Sequence, residues 1–109
     1  MALETDVPEW FVGEDKAFRW TVLDPKGRVV PVTNWLCEAH IYRRRQPTPV
    51  AALPATVVNG PLGLVEALAG SDVSTLLGPG SYRLVLARTD PGSAQVLAQD
   101  DIILKARGV

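Results

Sequence analysis

The sequence is short of the residues from which most active sites and covalent staples are built. Cys37 is its one cysteine. No internal disulfide can form, and the cysteine usage gives no sign of an oxidising compartment. His40 is its one histidine, which excludes a histidine pair on a metal and a second imidazole in a proton relay. An excess of one charge is missing as well. Eleven Lys and Arg face 12 Asp and Glu, a formal net charge of −1, so no global field draws the chain to nucleic acid or to an anionic membrane. Neither is expected as a partner. The uncharged run from Gln46 to Val65 contains Pro47, Pro49, Pro54, Gly60 and Pro61, which a spanning helix does not tolerate. The opening residues, Met1-Ala2-Leu3-Glu4-Thr5-Asp6, are acidic where a signal peptide is basic, so a cytosolic origin is expected.

What the chain has is turn formers and alternation. Nine glycines and nine prolines punctuate 109 residues, a spacing that suits many short strands and one domain. Residues 1–9 read as a polar arm with little reason to pack, and 10–109 as the domain. Phe18, Trp20 and Val22 share one face of a strand over Ala17–Leu23. Trp35, Cys37, Ala39 and Ile41 share one face of another over Asn34–Arg43, with Glu38, His40 and Tyr42 opposite. Asp24-Pro25-Lys26-Gly27 is a turn in which proline presets the backbone and glycine permits the exit. Arg28–Val32 is expected as a short strand bent at Pro31, and Gln46–Pro54 as a loop. Ala55–Val58 and Leu62–Leu68 form a hairpin about Asn59-Gly60. A turn at Thr89–Ser93 leads to two last strands, Ala94–Gln99 and Asp101–Lys105. Seven to nine short strands at this spacing predict an all-β antiparallel sandwich with Greek-key connections.

The chain is organised around Ser71–Arg88. A short helical turn is expected to start at Ser71 or Asp72, either of which can accept from the free amides of the first turn. Gly78-Pro79-Gly80 breaks it, and a strand opens on Tyr82 with Leu84 and Leu86 on the same face. A tyrosine just past such a corner is placed to bond backbone between Asp72 and Pro79. Asp72, Leu76, Gly80 and Tyr82 are thus structural. The core is expected to hold Trp20, Trp35, Ile41, Leu84 and Leu86.

Candidate chemistry is thin. Cys37 lies on an apolar face without a basic neighbour to make a thiolate. The adjacent pairs Glu14-Asp15 and Asp100-Asp101 point to opposite strand faces and make poor acid–base dyads; solvated strand ends are the simpler reading than a calcium loop, which needs several converging oxygens. Gly78-Pro79-Gly80 lacks the lysine and Ser/Thr of a phosphate loop. No cofactor is expected. Arg43-Arg44-Arg45 is either a solvated strand end or a charge-pairing surface at an interface, where arginine is enriched. Trp10, in the cluster Trp10-Phe11-Val12 beside the arm, has three readings: packing over one end of the core, an interface anchor, or a stacking platform for sugars.

One ordered set of features carries a resemblance. It runs through Gly13-Glu14-Asp15, Phe18, Val22, Asp24 with Gly27, and Pro31-Val32-Thr33 leading into the Trp35 strand with its Arg43-Arg44 end. It continues through Gly63-Leu64-Val65, the Asp72…Thr75-Leu76-Leu77…Gly80-Ser81-Tyr82 corner and Ile102-Ile103-Leu104. Beyond residue 10 this resembles the immunoglobulin-like N-terminal domain of phage upper baseplate proteins and related single-domain proteins of tailed phages. Val32-Thr33-Asn34 stands where that pattern has Leu-Thr-Gly, and the corner is shifted by a residue. The resemblance implies an immunoglobulin-like sandwich and a non-enzymatic virion component at the tail, baseplate or capsid surface. It also implies assembly in the host cytoplasm as repeated copies, such as a homo-oligomeric trimer, against other virion proteins. Trp10, Phe11, Val12 and Arg43–Arg45 are the expected interface, with the arm docking on a neighbour; deleting residues 1–12 should leave a folded domain that no longer assembles. The alternative is a carbohydrate- or receptor-binding module using Trp10 and Tyr42.

Overall fold

The structure, a computed structural model, describes residues 2–3 and 10–106. Among them are eight strands and one helix: β1 (Ala2–Leu3), β2 (Trp10–Phe11), β3 (Lys16–Thr21), β4 (Cys37–Arg43), β5 (Ala51–Asn59), β6 (Leu64–Ala69), α1 (Ser71–Leu77), β7 (Gly80–Arg88) and β8 (Gln95–Lys105). The protein is all-β. Hydrogen bonds join the strands in the order β1-β3-β6-β5-β4-β7-β8-β2, antiparallel throughout except for β2 beside β8. The run β3-β6-β5-β4 is a Greek key, with three hairpin-connected strands and the first returned beside the last.

The ladder curls until its ends approach each other, close to a barrel. Trp10 on β2, at one end, meets Phe18 on β3, near the other, edge to face with ring centroids 5.6 Å apart. One core lies inside the curl. Phe18, Trp20 and Val22 enter it from β3 and beyond, Ala39 and Ile41 from β4, Tyr82, Leu84 and Leu86 from β7, and Ile102 and Leu104 from β8. The period-two alternation decides this, because on each strand the apolar set is the one turned inward.

Several elements depart from the sequence expectations. Pro54 lies inside β5, opposite Glu38. The next residue, Ala55, is where pairing passes from β4 to β6, the place where a missing amide donor disturbs the ladder least. Arg28–Val32 forms no strand: after the isolated bridge Leu23↔Val29, the Val32 amide bonds Gly60 across the loops. β4 starts at Cys37, leaving Trp35 in a turn and only half-buried, whereas Trp20, Ile41, Leu84 and Leu86 are buried as expected. β8 is continuous, because a bulge opposite Leu86/Ala87 absorbs the break and turns Leu97 into the core. Of the expected arm, Ala2–Leu3 pair with β3 at Thr21 and Trp20; Met1 and residues 4–9 lie outside the described residues.

The turns follow their chemistry. Asp24 Oδ1 accepts from the amides of Lys26 and Arg28, both at 2.9 Å, and Oδ2 accepts from the Arg28 guanidinium. Gly63, at φ 70°, is required in its turn, since a Cβ there would lie 2.7 Å from the Val30 carbonyl oxygen.

Candidate functional site

The two ends of the barrel carry the groups the sequence singles out. β7 runs from Gly80 and Tyr82 at one end to Arg88 at the other. Arg43 of β4 stands opposite Tyr82, and Cys37 opposite Arg88.

At the corner end, the Tyr82 hydroxyl is buried 2.6 Å from the Leu77 carbonyl oxygen and 2.8 Å from that of Gly78, sharing one proton between the two. This is the bond the corner predicts. Leu77 is the residue of α1 that enters the core, while Leu76 is 76% exposed, so the anchoring leucine is one position later than the corner pattern suggests. Neither Ser71 nor Asp72 caps the helix. Gly70 occupies the cap position without a side-chain bond, and the carboxylate of Asp15, brought in from the β2–β3 loop, accepts from the Ser71 amide at 2.7 Å. Asp72 and Gly80 are exposed on the rim of the corner.

That loop and α1 are bonded at a second point, which the sequence reading missed. Ser74, fully buried, accepts the Gly13 amide at 2.8 Å and lies in reach of the carbonyl oxygens of Glu14 and Ser71 as a donor. A serine between Val73 and Thr75 in a seven-residue helix carries no local signal for a partner 61 residues away. The carbonyl of Glu14 also accepts from Trp10 Nε1 at 3.0 Å, and its carboxylate accepts the Phe11 amide. Glu14 and Asp15 are exposed, as the solvated strand-end reading expects, and they serve as structural acceptors as well.

The same geometry selects the core-packing reading of Trp10 and corrects its place in the expected interface. It is 1% exposed, set edge to face against Phe18 and bonded to Glu14, so it packs the chain's own core and offers no ring to a partner or a sugar. Phe11 and Val12 are half-buried beside it. Deleting residues 1–12 would remove this core tryptophan and unsettle the domain, so that truncation cannot isolate assembly. Arg43, Arg44 and Arg45 are exposed at the end of β4. The Arg43 guanidinium lies 5.7 Å from the Tyr82 ring centroid, and Arg44 and Arg45 make no ion pair among the described residues.

Across the outer face of β4 and β7, His40 Nε2 lies 2.6 Å from Glu38 Oε1, and Arg83 covers the Tyr42 ring at 4.7 Å. The histidine thus has a carboxylate partner that its sequence position did not show. The ring of Tyr42 is already occupied. Cys37 faces inward, on the opposite side of β4 from His40. Burial, helped by the Asp90 charge, pushes its thiol pKa up against the pull of Arg88, so it stays a neutral thiol. Asp100 also turns to the core side of β8, opposite Leu84. Burial raises its pKa, the Trp20 N–H partly offsets this, and Asp101 adds to the rise. The Trp20 Nε1 is buried without a hydrogen bond of ordinary geometry, so its influence on Asp100 is that of a nearby dipole rather than a formed bond. No group of three or more His, Cys, Asp or Glu among the described residues could hold a metal ion.

The other end was not foreseen as a site. Val32 to Trp35 is a turn closed by the Trp35 amide on the Val32 carbonyl, with Asn34 at φ 64°. Trp35 carries the Arg88 guanidinium 4.0 Å above its ring. Arg88 Nε is held at 2.7 Å by Asp90, whose carboxylate also accepts the Leu36 amide. Those bonds hold the Asp90 carboxyl below its ordinary range. An uncharged groove opens beside Trp35, over Ala55 and Val57 of β5.

No protein-family model matches the chain, and no curated protein matches it.

Proposed function

We propose that the chain is a non-enzymatic structural component of a tailed-phage virion, an adaptor at the tail or baseplate or a decoration of the capsid, working through protein–protein contacts. The observation that carries this reading is the interlock at the corner. Gly13-Glu14-Asp15 and the Ser71–Tyr82 corner are two of the segments on which the resemblance to phage upper baseplate domains rests. They bond directly to one another through Asp15–Ser71 and Gly13–Ser74. Residues picked out by the resemblance thus act together as a frame. The departure at Asn34 supports the same reading: it stands where the pattern has glycine, at a positive φ that a type II turn demands and that asparagine, next to glycine, tolerates best. The strand order, with β1 on the β3 edge and β2 on the β8 edge, supports this reading, since an immunoglobulin-like sandwich with a first strand divided between its two sheets would pair its strands in that order.

With Trp10 turned inward, the interface falls to the exposed corner end, where Arg43–Arg45 and Leu76 stand free of the core. A partner there presents carboxylates to the arginines and an apolar socket to Leu76, burying more than roughly 1,000 Å² as a homo-oligomer or against another virion protein. The test is mass spectrometry of purified particles from a host carrying the gene, comparing the wild-type chain with Arg44→Glu/Arg45→Glu/Leu76→Ser. The expected result is a fixed copy number for the wild type and loss of incorporation for the variant at unchanged Tm. A chain absent from particles and monomeric at every concentration overturns the reading. The carbohydrate alternative built on Trp10 and Tyr42 loses its support, since one ring is buried and the other covered by Arg83.

A further inference from the structure

The groove beside Trp35 has the parts of a small-molecule site, a half-buried tryptophan that also helps close the core and, beside it, polar side chains that the fold leaves unbonded. Its volume, about 460 Å³, lies within the roughly 300–1,000 Å³ of such sites. Trp35 is fixed rather than loose: the guanidinium of Arg88 covers one side of the indole, and Asp90 holds that guanidinium from behind. Arg88 lies outside the lining of the groove, whereas Trp35, half-buried and packed against the core, also lines it. The floor is apolar, from Ala55 and Val57. The rim is polar, from Thr33 and Asn34, whose side chains make no hydrogen bond among the described residues; Thr56, between Ala55 and Val57, turns its side chain to the other face of β5.

We propose that this groove binds a neutral saccharide, resting against the part of the Trp35 indole that lines the groove and hydrogen-bonded along its edge to Asn34 and Thr33. The ligand class follows from the lining. No charged residue lines the groove, so a phosphate, carboxylate or ammonium would enter without compensation. A flat apolar ring beside a row of groups that both donate and accept suits a molecule with a C–H face and a hydroxyl edge. The platform is preorganised, which lowers the ordering cost on binding. This assignment does not depend on the virion reading; a decoration protein and a free-standing lectin are equally compatible with it.

The test is a titration of the 15N-labelled full chain with lactose, maltotriose and chitotriose, followed by backbone and indole resonances. At least one sugar is expected to shift signals concentrated at Thr33–Trp35. Trp35→Ala should erase the shifts. Because that variant also loses packing, Asn34→Gly is the sharper test: glycine keeps the positive φ of the turn and deletes only the carboxamide. Its affinity should fall roughly fivefold or more, the size of one net hydrogen bond. The proposal is overturned if none of the three sugars moves these resonances, if the shifts fall elsewhere, or if folded Asn34→Gly binds as tightly as wild type.

Discussion

The two ends of the barrel solve the same problem, closing an open core, by different physics. At the corner end, closure uses neutral groups buried against backbone: Ser74 on Gly13, Tyr82 on Leu77 and Gly78, Trp10 on Glu14. At the groove end, closure uses an ion pair near the surface, Arg88 with Asp90, laid over a half-buried tryptophan. Buried neutral hydrogen bonds are costly to break singly, because the abandoned partner is left without water. An ion pair that keeps a fifth of each side chain in solvent, as Arg88 and Asp90 do, is still partly screened and contributes less than its Coulomb attraction suggests. The corner end should therefore be rigid, and the groove end should be where the domain tolerates change. Residues that bind a ligand are affordable only at the second.

Leu84, fully buried in the middle of β7, serves both ends equally. Leu84→Ala should cost about 2–5 kcal/mol in chemical denaturation, with amide exchange rising at both ends together. An effect confined to one end would mean that the barrel is two cooperative units. Next in size is Ser74→Ala, expected to cost about 1–3 kcal/mol because the partly buried Gly13 amide loses an acceptor that is itself fully buried. Tyr82→Phe should cost less, about 1 kcal/mol, since it removes the donor and leaves two carbonyls beside a ring of unchanged shape. If Ser74→Ala proves as mild as a surface change, the corner is not the rigid end and the contrast fails.

The difference between the ends also explains what could be read from the chain. The Tyr82 corner is a local pattern, in which a helix stop, a glycine and a tyrosine lie within twelve residues, and it was legible. So were the inward sets of β3, β4 and β7, because alternation is a property of neighbours. The Asp24 turn was legible for the same reason. What stayed hidden joins distant segments. Nothing near Ser71 announces that its amide is capped by Asp15, and nothing near Ser74 points to Gly13. Trp10 was ambiguous because two residues of strand give alternation no length on which to act, so burial was decided by the meeting of β2 with β3. Trp35 was misplaced by a run that alternates two residues beyond the start of its strand. The groove follows from that same error: the ring counted as core is the ring the turn leaves half in solvent.

The smallest expected effect separates the two ends most cleanly, because it depends on charge. The Asp90 carboxyl lies below its ordinary pKa through Arg88 and the Leu36 amide. A carboxylate depressed in the folded state contributes stability that is present above its unfolded pKa and lost as pH falls through the folded value. The contribution of Asp90 should therefore be intact at neutral pH and persist as the pH falls to about 3.8, its ordinary value. It should fade only below that. Protonation frees Arg88, and with it the cover over Trp35, and weakens the hold on the Leu36 amide. The Tyr82 closure of the corner, a phenol on two backbone carbonyls, involves no carboxylate, unlike the Asp15–Ser71 and Glu14–Phe11 contacts beside it. Acid titration followed by NMR should thus move the Trp35 indole and Leu36 amide signals while the Tyr82 ring signals hold still. Asp90→Asn should bring the groove-end signals partway to their acid positions at neutral pH. Its effect on Tm should be slight, since the pair is close to solvent. Tyr82 ring signals that shift first on acidification would reverse the assignment, making the charged end the firmer of the two and the groove a poor place for a preorganised platform.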